Sequence, residues 1–320
     1  EALAMEIRLD GQAHPRVASI LHNLALSAES AGDLPRARAY LTRAIAIKER
    51  AFGPDAVVVA GSLNNLGNVA TEQGRLDEAE PLFTRALAIR ERALGPASPL
   101  VAMTLASLAE VKRQQHKLDE ALALAIRSRD IRVAAFGPDH PTVATSLDSM
   151  AYVLKDKGDV AGARALFERK LAIDTKALGA GHPRTLSVFV ALGKLQAEAG
   201  DCRGAEAQFA RAIAGLAAAA PDSLGNAEAL AGLGRCQVSL GKPRDAITTI
   251  TRAIAIADKA AGAPADRGAM RAVLASAEWA AGEHTEAMAT ARAAETELLA
   301  AGDLGKSELA RVRTWIGQRP

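Results

Sequence analysis

Near the C-terminus, Ala300-Ala301-Gly302-Asp303-Leu304-Gly305-Lys306-Ser307 spaces glycine, lysine and serine as a phosphate-binding loop does, with alanine for the first glycine. In such a loop backbone N–H groups and the lysine hold phosphate oxygens, and the hydroxyl meets a metal ion. That chemistry requires a strand before the loop and a helix after it. Here the preceding residues, 289–300, are rich in Ala and Glu and read as helix. The stretch therefore reads as a helix-to-helix turn, with Gly302 closing one helix and Asp303 or Ser307 capping the next. Ser239 and Lys242 match a Ser-x-x-Lys pair but straddle an interhelix turn. His14, His140 and His182 stand at multiples of 42 residues from one another, too far apart to share one metal ion. Cys202 falls in the slot of Leu34, Leu76 and Leu118, and Cys236 in that of Val69, Val111 and Val153. Both read as small buried hydrophobes rather than reactive thiols. No disulfide framework is implied, and a reducing, cytoplasmic compartment fits. No nucleophile–base–orienter set stands out, so the chain reads as non-catalytic, without cofactor or metal.

What these residues do share is a ruler. Gly32, Gly74, His116, Gly158 and Gly200 step by 42, and Gly241 and Gly282 follow at 41. Gly11, Gly53, Gly95, Gly137 and Gly179 also step by 42. Ala37, Ala79, Ala121, Ala163 and Ala205 keep the same spacing. Three rulers with one period define seven repeats. A glycine between two helical patterns supplies the left-handed residue that ends a helix, so His116 is expected at positive φ. Alanine at a fixed position marks a close helix crossing, where a larger side chain overpacks the contact.

Within a repeat the apolar spacing is helical. Val17, Leu21, Leu24 and Ala28 share one face, and Leu34, Ala37, Leu41, Ala44, Ile45 and Ile47 mark a second helix. Each repeat is thus two antiparallel helices, and neither buries its stripe alone, so neighbours must stack. Pro15, Pro99, Pro141 and Pro183 start first helices, where a missing N–H has no helical partner to lose. Arg43, Arg85, Arg127, Arg169 and Arg211 form a ladder at 42, read as solvated pairs between stacked repeats.

Composition narrows the function. Lys+Arg 39 against Asp+Glu 37 gives a net charge of +2, and aromatics are 3%. Neither a basic stripe nor base-stacking platforms are present, which argues against nucleic acid. No apolar stretch reaches the roughly 18–20 residues of a membrane span.

The repeat resembles the tetratricopeptide repeat in its longer, kinesin light chain type. The resemblance rests on Leu63-Asn64-Asn65-Leu66-Gly67, Gly74 with Leu76, Glu78 and Ala79, Arg85-Ala86-Leu87-Ala88-Ile89, and Gly137-Pro138-Asp139-His140-Pro141. It implies an all-α, right-handed superhelical solenoid of antiparallel helix pairs. Residues 1–10 align with a second helix and are expected to be the truncated end of a preceding repeat, as in a piece of a longer protein. Residues 11–302 form the seven-repeat solenoid, and 303–320 a C-terminal capping helix through Leu309, Val312 and Ile316.

The same resemblance implies that first helices line a concave groove for an extended peptide. The groove positions singled out are Asn23, Asn64, Asn65, Asn68, Arg113, Asp148, Ser149, Tyr152, Lys155 and Lys194. Asparagine carries donors and an acceptor and pairs with a peptide backbone whatever the ligand's side chains. In the family, Asn at the positions matching Asn23, Asn64 and Asn65 contacts extended cargo. Tyr152 and Trp279 are the aromatic anchors. From the third repeat on, the paired Asn become Ala106-Ser107, Asp148-Ser149 and Val190-Ala191, and groove charges are mixed. A preference for acidic cargo is therefore not carried over. The leading expectation is a scaffold for a protein or peptide partner. The alternative is a regulatory arm of a larger bacterial signalling enzyme, such as a serine/threonine kinase or signalling ATPase. Self-association through an exposed terminal repeat is a third.

Overall fold

The computed structural model describes residues 11–319 together with Met5 and Arg8, but not the side chain of Asp303. The truncated helix expected over residues 1–10 lies outside the described residues. Among the described residues every extended element is helical and no strand occurs. The architecture is an all-α repeat solenoid. The helices divide into two compact units, up to Asp159 and from Val160.

The first unit holds α1 (Pro15–Ser30), α2 (Leu34–Phe52), α3 (Val57–Glu72), α4 (Leu76–Leu94), α5 (Pro99–Gln114), α6 (Leu118–Phe136) and α7 (Pro141–Asp156). The second holds α8 (Val160–Leu178), α9 (Pro183–Glu198), α10 (Cys202–Ala219), α11 (Leu224–Ser239), α12 (Pro243–Lys259), α13 (Pro264–Ala281), α14 (His284–Ala300) and α15 (Lys306–Gly317), the last entered through a 3-10 turn at Gly302–Gly305. A helix, not a strand, leads into that turn, so the phosphate-loop geometry is not built.

Local chemistry sets the boundaries. His14, His140 and His182 act as N-caps, their Nδ1 atoms accepting from the backbone N–H groups of Arg16, Thr142 and Arg184 at 3.3, 3.2 and 3.1 Å. Helices end on residues with positive φ, such as Gly74 at 73°; His116 takes the same role at 60°.

Packing inside each pair is knob against hole. Phe83 and Phe209 are fully buried. The facing residues are Gly67 and Gly193, where a Cβ would lie 2.7 and 2.8 Å from the ring. Where the knob is smaller, as at Leu41, the hole is Ala25, and both belong to one apolar cluster. Small against large keeps the interior at close-packed density. Cys236 is fully buried in the apolar cluster of Phe209, and Cys202, opening α10, is half-buried beside that cluster.

In the first unit, the joints between successive pairs are polar. Lys48 Nζ on α2 donates to Ser62 Oγ on α3 at 2.7 Å. Arg90 on α4 donates to Thr104 Oγ1 and, at 3.0 Å, to the Leu100 carbonyl on α5. Arg132 on α6 donates to Ser146 Oγ at 3.0 Å and to the Thr142 carbonyl at 2.9 Å on α7. Ser62, Thr104 and Ser146 are fully buried, and each hydroxyl accepts its cation's hydrogen bond alongside a second partner, respectively His22, the Leu100 carbonyl and Ser128.

Within each unit, consecutive first helices pack closely: α3 on α5 and α5 on α7, then α9 on α11 and α11 on α13. Among the described residues, no second helix packs comparably on the next second helix. The first helices therefore form the inner face of each stack.

Candidate functional site

The inner face of the first unit carries most of the residues singled out from the sequence. Asn23 on α1 is exposed and Asn68 on α3 half-buried. Neither side chain has a hydrogen-bond partner within the described chain, so both present donors and an acceptor outward. Asn65 is half-buried, and its Nδ2 lies 3.3 Å from His22 Nε2. The other ring nitrogen, Nδ1, lies 3.1 Å from Ser62 Oγ. His22 thus links the groove asparagine to the Lys48–Ser62 joint. Burial, and then the Lys48 charge, push the His22 pKa below its ordinary value of 6.5.

Asn64 is placed differently. It is 2% exposed, and its Oδ1 accepts from Arg90 Nη1 at 3.2 Å. The expectation that it faces a ligand is corrected: its slot points between helices, where it satisfies part of a buried guanidinium.

Further along the inner face, Arg113 on α5 is held between carboxylates, donating to Glu110 at 2.7 and 2.8 Å and to Asp156 at 2.5 Å. Those bonds raise its pKa despite burial, so its charge is fixed. Tyr152 on α7 lies under two cations, with Arg113 Cζ 5.9 Å and Lys155 Nζ 6.0 Å from its ring centroid. The ring is thereby held in place at the groove surface. Asp148 and Ser149 stand half-buried on the same helix. Nearer the start of the stack, burial and the charge of Glu72 raise the Glu29 pKa; burial raises that of Glu72.

In the second unit, Lys194 on α9 is ion-paired with Glu228 on α11. Val190 and Ala191 beside it are buried, so this stretch of inner face is apolar and packed rather than polar and open. Trp279 on α13 is covered by Trp315 of α15, edge-on at 5.7 Å, and by Arg319, whose Cζ lies 5.0 Å from its ring centroid. The expected second anchor is therefore shielded by the chain's own terminal helix.

Sequence reading missed the joint ladder of Lys48, Arg90 and Arg132. The signal was present: these cations step by 42, and a hydroxyl follows each by 14, at Ser62, Thr104 and Ser146. The arginine ladder that was read instead lies outside, with Arg85 2.7 Å from Glu49 and Arg127 2.5 Å from Glu91.

An inner face of stacked first helices, studded with amide and aromatic side chains, defines a helical-repeat interaction protein. Models of the tetratricopeptide repeat match residues 17–55, then 58–124, 100–169 and 142–218 in overlapping stretches, and 190–264. The chain belongs to the tetratricopeptide repeat family. Among solved structures it is similar to a putative kinesin light chain from Podosopora anserina with nearly identical TPR-like repeats. That match is at 23% identity and TM-score 0.54, over 64% of this chain and 97% of that one. It is also similar to BtubC (BKLC) from P. vanneervenii, at 21% identity and TM-score 0.57, over 72% of this chain and 92% of that one. At these identities the likeness shows the fold. No curated protein matches the chain. Among the described residues, no helix is long and apolar enough to cross a membrane.

Proposed function

We propose that the chain is a non-catalytic scaffold whose first unit holds an extended partner segment along its inner face. The observation that carries this reading is the row of asparagines on α1 and α3. Asn23 and Asn68 offer amides without partners among the described residues, and Asn65 is steadied by His22. Amides of this kind pair with the backbone of an extended chain, which has one donor and one acceptor per residue. Tyr152 supplies an apolar surface of fixed orientation at the far end of the same unit, and a rigid aromatic loses little entropy on contact. The balanced charges of Glu110, Arg113, Lys155 and Asp156 support a ligand recognised by backbone and shape rather than by strong net charge.

A displayed library of extended peptides, panned on the whole chain, tests this. Retained peptides are then measured against a variant carrying Asn23→Ala, Asn65→Ala and Tyr152→Ala. The expected result is at least a tenfold loss of affinity, with the helical circular dichroism unchanged. Equal binding by both proteins removes the inner-face assignment.

A further inference from the structure

The second unit contains a cavity of about 290 Å³ that the groove reading does not use. It lies between α11 and α13 of the inner face and the terminal helix α15, with Ala291 of α14 at one edge. Its size is at the small end of ligand-binding cavities, which begin near ~300 Å³. The walls are apolar: Val238, Val273, Val312 and the face of Trp315. Two hydroxyls reach the lining, but each is already committed. Ser239 Oγ donates to the Arg235 carbonyl at 3.2 Å, and Ser276 Oγ to the Ala272 carbonyl at 3.1 Å.

The charges at the cavity are unequal. Arg311 is neutralised by Glu308 at 2.9 Å. Arg235 has no carboxylate, carbonyl or ring against its guanidinium among the described residues. That sets it apart from other inner-face cations, since Lys194 is paired with Glu228 and Arg113 with Glu110 and Asp156. A guanidinium beside an apolar cavity, with no counter-charge of its own, is complementary to a planar anion attached to an apolar body. The Trp315 wall is preorganised. Its ring meets Trp279 edge-on at 5.7 Å, and Arg319 Cζ stacks 3.9 Å from its centroid. A ligand entering there orders little that is not ordered already.

We propose that this cavity binds a carboxylate carried on a single apolar group, with Arg235 receiving the carboxylate and Val238, Val273, Val312 and Trp315 enclosing the body. The site lies wholly within the second unit and stands independently of the groove in the first.

The chain's two tryptophans, Trp279 and Trp315, both stand at this place and report on it. Titrating the whole chain with octanoate and with 3-phenylpropionate, while following tryptophan emission, is expected to give a saturable change. The isosteric 3-phenylpropionamide and 3-phenylpropylamine are expected to bind at least tenfold more weakly. A short peptide ending in phenylalanine with a free C-terminus separates the sources. Binding as tight as that of the free acid points to a chain terminus as the natural ligand, and weaker binding to a small molecule. Arg235→Gln is expected to lower affinity for the acids at least tenfold. Arg311→Gln combined with Glu308→Gln, which removes a neutralised pair, is expected to change it little. Ala272→Leu, which fills the cavity, is expected to abolish the signal, with helical content checked by circular dichroism. Absence of a saturable change with either acid, equal binding of acid and amide, or full affinity in the Arg235→Gln protein overturns the proposal.

Discussion

The two units share a period and a knob-and-hole interior, yet they join their repeats with different chemistry. In the first unit the joint slot holds Lys48, Arg90 and Arg132, each bonded to a hydroxyl on the next first helix. In the second the same slot begins with Asp174, fully buried and ion-paired with Lys170 at 3.3 Å and Arg184 at 3.2 Å. It then turns apolar, as Leu216, Ala257 and Leu298, all buried. The hydroxyl slot changes in step, from Ser62, Thr104 and Ser146 to Val188 and Ala229. A buried cation demands donors and acceptors at fixed places, so it selects one register between pairs. An apolar joint is satisfied by any contact of the right volume. The polar joints lie in the unit whose inner face carries the proposed groove, where the spacing of Asn23, Asn65 and Asn68 must hold for a ligand to match.

The strongest way to break the comparison is to give the first unit a joint of the second kind. Arg90→Leu alone removes the donor that Thr104 and Asn64 rely on, and leaves buried acceptors unsatisfied. The expected loss is ~3 kcal/mol, at ~1–3 kcal/mol for each orphaned group. Arg90→Leu combined with Thr104→Ala copies the Leu216–Ala229 slots, and more than half of that loss is expected to return. Urea denaturation of the three variants, followed by hydrogen exchange over α3–α5, measures it. If the double variant is as unstable as the single, the two joints are not interchangeable and the register argument gains. If Arg90→Leu costs nothing, the polar ladder is ornament.

A smaller effect probes what the units have in common. Gly67→Ala and Gly193→Ala sit in one slot, one in each unit, and each places a methyl group against a buried phenylalanine ring. Overpacking of this kind costs ~1–3 kcal/mol. Phe83→Leu added to Gly67→Ala recreates the Leu41–Ala25 pair and is expected to recover most of the loss. Comparable losses for the two glycine variants mean that the interior is one design repeated. A loss confined to one unit means that the likeness is only in the sequence.

The fold was legible because helix ends, alanine crossings and apolar stripes repeat, and repetition averages out local ambiguity. The inner face was legible only through the family resemblance, which assigns first helices to it. Asn64 shows the limit of that transfer. It sits next to Asn65, but one residue on a helix turns a side chain by about 100°, and for Asn64 that is the difference between groove and joint. Arg90 is not singled out from the sequence, and only its buried guanidinium gives a buried asparagine its acceptor role. Trp279 fails for another reason: its cover is α15, which lies outside the repeat, and no period announces it.

The mildest prediction concerns the joint beside His22. His22 bridges Ser62 and Asn65 in its neutral form, one ring nitrogen donating and the other accepting, with Lys48 adjacent. Its pKa in the fold is lowered from 6.5 by burial first and by Lys48 second. The unfolded chain therefore takes up the proton more readily, and acidification favours unfolding. The stabilisation is fully present above 6.5 and is lost as pH falls from there through the lowered value. Glu29 and Glu72, with raised pKa values, carry the opposite sign. Between pH 7.5 and 5.5 the measured slope is the sum, and the His22 part is the one that a non-titrating variant removes. Hydrogen exchange over α1–α3 is expected to lose protection across that window, and α11–α13 to lose less. His22→Gln keeps a hydrogen-bonding side chain without a titrating proton, and is expected to flatten the first unit's response. An unchanged slope in that variant assigns the pH sensitivity to other groups and leaves the Lys48 joint no more acid-sensitive than its apolar counterparts.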